Sequence, residues 1–322
     1  MTHSHGIRVA VLDDYQGVAA GLADWAGLGP DVAVDFFHEP VPAAEAAARL
    51  APYDVLCLMR ERMPLDAGLA AALPALKLVV FTGGRNPSVD TAALQARGVT
   101  VCNTRNGEGG IATAELTVAL MLACARALPR EFANMAQGRW QETLGEGLEG
   151  RTLGLVGLGR IGARVAAVGR ALGMRVTAWS PNLTPERAEA GGAALATRDA
   201  LFAESDVISL HMVLAPSTRG IVGPTEIARM RPGAILVNTS RGPLIDEAAL
   251  VAALAQGRIR AGLDVFDREP LPADHPLRSL PNAVLTPHLG YVTDSTFRMF
   301  YEDTVEAIAA WRRGTPVRVA TA

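Results

Sequence analysis

Short apolar runs, many of them β-branched, alternate along this chain with longer stretches rich in alanine and leucine. The short runs are typical of buried strands, and the longer stretches between them are typical of helices. Regular alternation of the two predicts parallel sheets that are covered by helices on both faces. We therefore expect an α/β protein.

The alternation falls into two series of predicted strands. The first series comprises residues 7–12, 55–58, 78–81 and 100–102. The second series begins after Gly150 and comprises residues 152–156, 175–179, 207–210, 234–238, 262–265 and 283–285. The six strands of the second series are enough for a complete dinucleotide-binding sheet, so two doubly wound domains are expected.

Two further stretches predict long helices. Residues 112–128 are apolar on nearly every face, which predicts a helix that is buried on all sides, in part against a second copy of the chain. A last helix is predicted between residues 288 and 311, and Gly314 supplies its stop signal.

Composition narrows the class of protein. At 322 residues the chain is longer than most single domains and has a length typical of two. An apolar share of 49% with only 5% aromatic residues indicates a large core made mainly of alanine, valine and leucine. The net charge of −3 and the pI of about 6.1 leave no basic excess of the kind that nucleic-acid binding requires, so we expect no such partner.

The cysteines and the N-terminus bear on location. Cys57, Cys102 and Cys124 have no paired spacing, which favours buried apolar residues in a reducing compartment over disulfides or metal ligands. The first six residues lack the pattern of a secretory signal. The most apolar helix candidate, residues 116–125, is far shorter than the roughly 20 residues of a membrane span. We expect a cytoplasmic protein without a metal and without a membrane partner.

A glycine-rich loop lies between a predicted strand and a predicted helix, with the sequence Gly157-Leu-Gly159-Arg160-Ile161-Gly162. In such a loop the first glycine permits a tight turn, the second lets the backbone approach phosphate, and the third lets helix and strand pack closely. The helix N-terminus then presents free N–H groups to a pyrophosphate. A GxGxxG pattern alone is weak, but its position here predicts a dinucleotide site.

Three polar residues follow apolar runs in the C-terminal third of the chain: Arg241, Glu269 and His288. Taken one at a time, Arg241 could be a surface charge, Glu269 a turn residue, and His288 a histidine whose hydrogen bonds are purely structural. Because parallel strands place their carboxyl ends at one edge of the sheet, we expect the three side chains to lie together. An arginine offers a planar fork for a carboxylate and a carbonyl oxygen. A histidine supplies a proton near neutral pH, and a glutamate on its other nitrogen favours the imidazolium.

With these motifs in this order, the chain resembles the D-2-hydroxyacid dehydrogenases of the glycerate, hydroxypyruvate and phosphoglycerate dehydrogenase superfamily over almost its whole length. The resemblance implies a Rossmann cofactor domain, residues 105–287, inserted into a flavodoxin-like substrate domain of residues 1–104 and 288–322. It also implies a catalytic set of Arg241, Glu269 and His288. Separately, the apolar helix of residues 112–128 leads us to expect a homodimer built mainly through the cofactor domain.

The resemblance assigns further residues to the cofactor. Besides the glycine loop, with Arg160 near the phosphates, these are Ser180, His211, Met212, Val213, Thr218, Thr239, Ser240, Asp264 and Gly290. His211 could by itself be catalytic, but its position after a strand favours the wall of the cofactor pocket. Asp264 is expected to accept a hydrogen bond from the nicotinamide carboxamide, and a purely structural carboxylate is the alternative.

Position 180 departs from the pattern of the family. The acidic residue expected at the end of the second strand of the cofactor domain is replaced by Ser180, which would not repel a 2′-phosphate. The first cation after this strand is Arg187, which we expect a helical turn or more away. We therefore predict that both NAD and NADP are used, with a small preference for NAD.

The first domain is expected to supply the substrate loop, residues 81–90, in which the family binds the substrate carboxylate with backbone amides. This chain has Gly84 and Arg85 in the loop, and Arg60 follows the second predicted strand. We assign these three residues to substrate binding. A surface role for Arg85, Arg60 and the nearby Arg62 is the alternative.

The resulting hypothesis is an NAD(P)-dependent oxidoreductase that interconverts a small 2-oxo acid and its D-2-hydroxy acid. One alternative is a nicotinamide-sensing binding protein, as in the superfamily's corepressors, and another is a phosphite dehydrogenase-like enzyme. Differences of one methylene in a substrate are worth only about 1–3 kcal/mol, so the sequence does not identify the acid.

Overall fold

The computed structural model describes residues 6–107 and 110–321, and the chain divides into two compact units. One unit comprises Met1–Glu108 and Thr293–Ala322, and the other comprises Gly109–Val292. The boundaries derived from the sequence, after residues 104 and 287, lie slightly earlier in both cases. Each unit has its own sheet and its own core.

The first unit contains a five-stranded parallel sheet. Its strands are β1 (Ile7–Val11), β2 (Val32–Phe36), β3 (Val55–Leu58), β4 (Leu78–Phe81) and β5 (Thr100–Asn103). The order β2-β1-β3-β4-β5 is that of flavodoxin-like sheets, which confirms the predicted type. The sequence missed β2, because this edge strand pairs only with β1 and stays partly exposed, so its residues form no continuous apolar run.

The helices of this unit that precede β5 are short. They are α1 (Ala19–Leu22), α2 (Ala43–Leu50), α3 (Ala67–Ala71), α4 (Thr91–Ala96) and one 3-10 turn (Ala26–Leu28). Asp66 and Asp90 begin α3 and α4 by accepting hydrogen bonds from the amides of Leu69 and Ala93, as N-cap residues do.

The second unit contains a seven-stranded parallel sheet. Its strands are β6 (Thr152–Val156), β7 (Arg175–Trp179), β8 (Ala194–Leu195), β9 (Val207–Leu210), β10 (Ile235–Asn238), β11 (Arg260–Leu263) and β12 (Ala283–Leu285). The order β12-β11-β10-β9-β6-β7-β8 is the Rossmann order with one further strand, which confirms the predicted class. The crevice between the ends of β6 and β9, where the order reverses, is where such sheets bind ligands.

Two details of this sheet differ from the prediction. The two-residue β8 was not predicted, because two exposed residues give no apolar signal. The predicted strand at residues 262–265 begins and ends earlier, at Arg260–Leu263, so Asp264 follows the strand. Gly262 lies inside β11, where a Cβ atom would lie 3.0 Å from Leu120 Cβ on the helix above. The glycine therefore serves close helix–sheet packing.

Helices cover both faces of this sheet, and each face has its own hydrophobic core. The helices are α5 (Ile111–Ala125), α6 (Leu128–Ala136), α7 (Arg160–Ala171), α8 (Pro185–Ala190), α9 (Arg198–Glu204), α10 (Pro224–Arg229) and α11 (Glu247–Ala255). Two 3-10 turns span Gly242–Leu244 and Pro276–Ser279.

The prediction of one helix over residues 112–128 was wrong at its end. The helix α5 ends at Ala125, Ala127 adopts a left-handed φ of 49°, and α6 starts at a bend of 68°. Pro129 explains the break, since it has no N–H to donate and its ring would clash with the carbonyl of Ala125. Nor is α5 buried on all sides: its inner face packs on β10, β11 and α7, but Glu115 and Ala119 are exposed.

The last helix is α12 (Asp294–Arg312), which belongs to the first unit and packs on β4 and β5. It begins later than predicted because residues 288–293 form a turn, and Thr293 caps it by accepting from the amide of Thr296. Gly314, with φ of 77°, follows its end as predicted. Asp303 on this helix is buried and accepts four hydrogen bonds from the backbone and guanidinium of Arg105.

Cys57, Cys102 and Cys124 are free and buried, as predicted. Burial raises the pKa of the Cys102 thiol to about 11 and that of the Cys124 thiol to about 12. Across the described residues, no single helix has the length and apolar composition of a membrane span. Within the described ranges, α5 and α6 meet those criteria only when taken together, as a bent pair.

Candidate active site

The glycine loop joins β6 to α7 and uses each glycine differently. Gly157 has φ of 97°, and a Cβ on it would lie 2.6 Å from His211 O. A Cβ on Gly162 would lie 2.5 Å from Gly157 O, so helix and strand need this glycine to pack. A Cβ on Gly159 would meet no atom within 4 Å. The first and third glycines are therefore required by the fold, whereas the second leaves open space at the helix N-terminus, as a bound pyrophosphate needs.

The next two residues of the loop are also placed by the fold. Arg160 is the first residue of α7 and is exposed, so its guanidinium can reach an anion at the helix N-terminus. Ile161 is half-buried and packs against Gly110, where a Cβ would lie 2.5 Å from Ile161 Cγ1. The role of Ile161 is thus to hold the loop against the start of α5.

Ser180 directly follows β7 and is half-buried. Arg187 lies in the first turn of α8, and its Nη1 donates to Asn182 O at 3.1 Å. Its guanidinium therefore folds back over the loop that follows β7. The residue itself lies in α8, beyond the loop, as expected, and its guanidinium returns to the loop at Asn182.

The segment after β9 forms one wall beside the glycine loop. Burial lowers the pKa of His211 to about 4, so this imidazole is neutral at physiological pH. Its Nε2 lies 3.0 Å from Ser209 Oγ, and the Met212 sulfur would contact a Cβ on Gly157 at 3.1 Å. A neutral, buried histidine fits the predicted role in a pocket wall better than proton transfer. Val213 is 83% exposed and open to contact with a ligand.

Thr218 closes the turn of this segment. Its Oγ1 accepts from Ala215 N at 2.8 Å and donates to Val213 O at 2.7 Å. The hydroxyl is thus used inside the turn, and its contribution to a cofactor site is to fix the course of the backbone.

The residues after β10 are fixed by hydrogen bonds to other residues of the second unit. Thr239 Oγ1 lies 2.7 Å from Thr117 Oγ1 on α5, and Ser240 Oγ donates to Leu210 O at 2.7 Å. The buried Asn238 accepts from Ser240 N at 3.0 Å and donates to Arg241 O at 2.9 Å. Asn238 therefore fixes the turn that presents Arg241. The sequence analysis missed this role, which an asparagine at a strand end can suggest.

Arg241 is held next to the loop that follows β11. Its Nη1 donates to Ser240 O at 2.7 Å. A Cβ on Gly242 would overlap the Phe266 carbonyl and lie 2.5 Å from Asp267 N, so only glycine permits this approach of two backbones. The arginine is thereby brought to the loop that carries Glu269.

Asp264 organises the turn that carries His288. The carboxylate is fully buried, and it accepts from Thr286 Oγ1 at 2.6 Å, Leu289 N at 2.7 Å and Gly290 N at 2.9 Å. The backbone oxygen of Asp264 accepts from His288 N at 2.9 Å. Burial raises the pKa of this carboxyl against the opposing effect of these bonds. The hydrogen bonds give Asp264 a structural task, and its predicted contact with a carboxamide stays a prediction.

His288 itself has φ of 56°, a left-handed conformation that is uncommon outside glycine. Gly290 continues the turn, and its carbonyl accepts from Thr113 Oγ1 on α5 at 2.7 Å. Because the strained backbone is fixed on both sides, the imidazole is held in one direction.

Glu269 and His288 form a close pair. Glu269 Oε2 lies 2.6 Å from His288 Nδ1, and Glu269 Oε1 accepts from Phe266 N at 2.9 Å. Burial raises the pKa of Glu269, but the bond from His288, the charge of the imidazole and the nearby Arg241 outweigh it, so the pKa is lowered. An ionised carboxylate can only accept, so His288 Nδ1 carries a proton and Nε2 is the atom that exchanges one.

The structure thus brings Arg241, Glu269 and His288 together at the carboxyl ends of β10, β11 and β12. The resulting site holds a fixed guanidinium, an ionised carboxylate and an imidazole whose side chain is 25% exposed. Such a set can bind an anion and transfer a proton to an adjacent oxygen.

The predicted substrate loop lies in the first unit. Gly84 N donates to Asn106 Oδ1 at 2.6 Å, so this amide is already used within the unit. The Arg60 guanidinium covers Gly83, and Asn86 Nδ2 donates to Arg60 O at 2.5 Å. Within the described part of the chain, Arg85 is exposed and its side chain makes no hydrogen bond or ion pair. Of the three predicted substrate residues, Arg85 has the side chain most available to an anion.

Comparison with known families gives one match that covers residues 118–290. The matching description is "D-isomer specific 2-hydroxyacid dehydrogenase, NAD binding domain". The matched segment includes the glycine loop and all three members of the polar set, and it agrees with the predicted nicotinamide cofactor.

Individual relatives carry related names. The chain is 37% identical over 277 residues to D-3-phosphoglycerate dehydrogenase of Archaeoglobus fulgidus, covering 85% of this chain and 52% of that protein. It is 36% identical over 295 residues to glyoxylate reductase of Aeropyrum pernix, covering 88% of this chain and 87% of that protein. The crystal structure of phosphoglycerate oxidoreductase from Vibrio cholerae matches with a TM-score of 0.90 at 35% identity, covering 96% of this chain and 99% of that one.

The lengths of these relatives differ. The chain spans about half the length of the phosphoglycerate dehydrogenases it matches, but most of the length of the glyoxylate reductase. Similarity to the former therefore extends to only part of each of those proteins.

Proposed function

The chain belongs to the D-isomer specific 2-hydroxyacid dehydrogenase family, and from this premise we propose that it reduces a small 2-oxo acid to the D-2-hydroxy acid, reversibly, with a nicotinamide dinucleotide. The observation that carries the proposal is the 2.6 Å hydrogen bond between Glu269 and His288, beside the guanidinium of Arg241. This arrangement binds a carboxylate and provides a proton at a fixed atom.

Each member of the set has a defined task in the proposed reaction. Arg241 binds the substrate carboxylate and the carbonyl oxygen through its planar fork. His288 donates the proton from Nε2 to the oxygen as it gains negative charge, and takes it back in the oxidative direction. Glu269 holds Nδ1 and stabilises the imidazolium. A bound reduced dinucleotide would supply the hydride that reaches the carbonyl carbon.

The cofactor would be held by the glycine loop. The open space at Gly159 and the N-terminus of α7 fit a pyrophosphate, and the neutral His211 with Met212 forms the adjoining wall. The hydroxyls of Thr239 and Ser240 are used to fix the strand end, which supports a shaping role for these residues.

The identity of the acid rests on substrate loops. We propose Arg85 as the residue that responds to a second anionic group on the substrate, because its guanidinium is exposed and has no partner among the described residues. The assignments of Gly84 and Arg60 to substrate binding stay predictions, since both already make contacts within their own unit.

A direct test is a panel of glyoxylate, hydroxypyruvate, pyruvate and phenylpyruvate with NADH and NADPH, with phosphite and NAD as a separate arm. We expect turnover with at least one 2-oxo acid, and a loss of about 10²–10⁴-fold in His288→Ala with binding of the dinucleotide preserved. Binding of NADH without turnover of any acid would favour the sensing protein, and activity only with phosphite would favour the third hypothesis.

We also propose a homodimer, for a reason other than the one given by the sequence. The helix α5 covers much of its apolar surface within its own unit. The exposed apolar side chains lie instead on α6 and the segment after it: Phe132 (66% exposed), Met135 (56%), Trp140 (72%) and Leu144 (99%). Apolar clusters of this kind mark interfaces. A monomer mass in light scattering at micromolar concentration would contradict the homodimer. The cytoplasmic location stays a prediction from the sequence.

A further inference from the structure

The helix α5 lies across three neighbouring strands of the second unit. It packs on β10, β11 and β12. The close approach depends on Gly262 in β11, because a Cβ on this residue would lie 3.0 Å from Leu120 Cβ and 3.3 Å from Cys124 Sγ. A helix this close to the sheet brings even short side chains within reach of the turns that follow the strands.

Two threonines one helical turn apart on α5 make such contacts. Thr117 is buried, and its Oγ1 lies 2.7 Å from Thr239 Oγ1 in the turn after β10. Thr113 Oγ1 donates to Gly290 O at 2.7 Å in the turn after β12. Because residues four positions apart share one face of a helix, the same face of α5 contacts both turns.

The hydrogen bonds of these threonines have a defined direction. Thr117 Oγ1 donates to Thr113 O at 2.8 Å, the carbonyl one turn earlier. A hydroxyl carries a single proton, so Thr117 accepts in its contact with Thr239, and Thr239 is the donor. The bond to the earlier carbonyl also selects one side-chain rotamer of Thr117. The oxygen that Thr239 meets is therefore held in one place.

The two contacts lie at equal spacing from the proposed catalytic side chains. Thr239 precedes Arg241 by two positions, and Gly290 follows His288 by two. A shift at either contact would therefore reach the neighbouring catalytic side chain through only two peptide units.

Other hydrogen bonds hold each turn separately. Asn238 Nδ2 donates to Arg241 O in the first turn, and Asp264 accepts from Leu289 N and Gly290 N in the second. These bonds set the shape of each turn, whereas α5 contacts both turns. The helix is thus placed to set the position of one turn relative to the other.

We propose that Thr113 and Thr117 are positioning residues, through which α5 sets the position of the His288 proton donor relative to the Arg241 fork. The inference rests on the proposed function and adds two residues to its machinery. Neither threonine acts on the substrate directly, and each acts through the turn that it holds.

The test combines kinetics with ligand binding on the full chain. Thr117→Val and Thr113→Val remove the hydroxyls and keep branched side chains of similar shape, and Thr117→Ser and Thr113→Ser keep the hydroxyls. Thr304→Val is the matched control, because Thr304 is 1% exposed like Thr117 and its Oγ1 donates to Phe300 O at 2.7 Å, one turn earlier on α12 of the first unit. The measurements are the melting temperature, kcat, KM, the pH profile of reduction, and calorimetric binding of oxamate, a pyruvate analogue that is not reduced, to the NADH complex.

We expect Thr117→Val to raise KM and weaken oxamate about three- to tenfold, the loss expected for one hydrogen bond, with a smaller change in kcat. Arg241 binds the carboxylate before and during the reaction, so its displacement weakens binding. Thr113→Val should lower kcat by a similar factor and leave oxamate within about twofold, because His288 donates its proton only in the transition state. The pH above which reduction declines should also move downward in this variant, since Glu269 Oε2 would hold His288 Nδ1 less well.

The serine variants should stay within about twofold of the wild type, and Thr304→Val should lower only the melting temperature. Three results would overturn the proposal. One is valine variants that lose stability as the control does but keep kcat, KM and the pH profile. Another is an equal loss of kcat and oxamate binding in both valine variants, which would indicate a general loosening of the unit. The third is serine variants as impaired as the valine variants, which would assign the effect to packing of the methyl group.

Failure of the proposed function would give a different result. A wild-type protein that binds NADH and oxamate but reduces no 2-oxo acid would contradict the function, while oxamate binding in Thr117→Val would still decide whether α5 positions Arg241. Absence of oxamate binding in the wild type would contradict both.

Discussion

Replacement of Glu269 by glutamine isolates the charge of one side chain while keeping its size. The wild-type carboxylate accepts two hydrogen bonds at once, from Phe266 N at 2.9 Å and from His288 Nδ1 at 2.6 Å. Glutamine offers one oxygen and one NH₂ group. It can keep the bond from Phe266 only by turning its NH₂ toward His288, and the reverse orientation places NH₂ against the amide of Phe266.

The first orientation disables the imidazole, whereas the reverse one keeps an acceptor for Nδ1 but sets two donors against each other at Phe266 N. With NH₂ facing Nδ1, the neutral ring carries its proton on Nε2, so it cannot act as a base there. The imidazolium meets a donor instead of an acceptor, so the acid form is disfavoured as well. A charge-assisted hydrogen bond is worth about 1.5–3 kcal/mol, which corresponds to roughly 10- to 150-fold in rate. Because a donor also replaces the acceptor, we expect a fall in kcat/KM of about 100-fold.

The assay is the pH dependence of reduction and oxidation in Glu269→Gln, with dinucleotide binding and thermal unfolding as separate measurements. The pH above which reduction declines should move downward, because the imidazolium has lost a carboxylate 2.6 Å away. Glu247→Gln is a matched control, since Glu247 Oε1 lies 3.1 Å from His275 Nε2 outside the catalytic set. This control should keep both rate and pH profile.

The reasoning would be refuted by a folded Glu269→Gln protein that keeps kcat/KM within about threefold of wild type with an unchanged pH profile. A parallel loss in the Glu247 control would also count against it, because the effect would then follow from any broken carboxylate–histidine pair. A fall in rate without a change in pH profile would assign Glu269 to packing alone.

Four further variants test other parts of the site and the fold. Gly159→Ala should leave the melting temperature unchanged and weaken NADH binding at least about tenfold, since a Cβ there meets only open space in the protein, whereas Gly162→Ala should lower the melting temperature because its Cβ would lie 2.5 Å from a carbonyl oxygen; equal behaviour of the two would contradict the assignment. Arg241→Lys should raise KM and lower kcat for 2-oxo acids together, as loss of the planar fork implies, and an unchanged kcat/KM would exclude a two-point contact. Asp303→Asn should cost about 1–2 kcal/mol in the free energy of unfolding above pH 5. Burial raises the pKa of Asp303, but its contacts with Arg105 and Arg318 lower that pKa by more, so the folded value lies below the unfolded value near 3.9. The stabilisation is therefore present above the unfolded value and is lost as pH falls through the folded value. If the stability difference between Asp303→Asn and the wild type did not shrink in urea titrations at acid pH, this account would be contradicted.

Much of the site was accessible from local patterns. The glycine loop was predicted because its three glycines lie at a fixed spacing between an apolar run and a helix, and the first and third glycines have the close packing predicted for them. The family was recognised from the order of its motifs, and the family match confirms it. The roles of Arg241, Glu269 and His288 followed from their chemistry and position, and their individual assignments await the variants above.

Other features escaped because the sequence carries no local signal for them. The edge strands β2 and β8 are too exposed or too short to form apolar runs. The end of α5 was misplaced because a proline four residues later decides it, through a clash that composition does not show. Asn238 was overlooked because its two hydrogen bonds matter only once the turn toward Arg241 is formed.

The sequence by itself determined most of the strands and helices, where the glycine loop lies and which side chains could do the chemistry, because periodicity, turn residues and the chemical type of a side chain are properties of local sequence. Only the tertiary structure decided that Gly242 lies against Asp267, that the Asp264 carboxylate holds the turn of His288, and that Arg187 folds back over Asn182. Distances between residues far apart in the chain depend on how whole strands and helices pack. That packing is a sum over many contacts, which no short segment of the sequence contains.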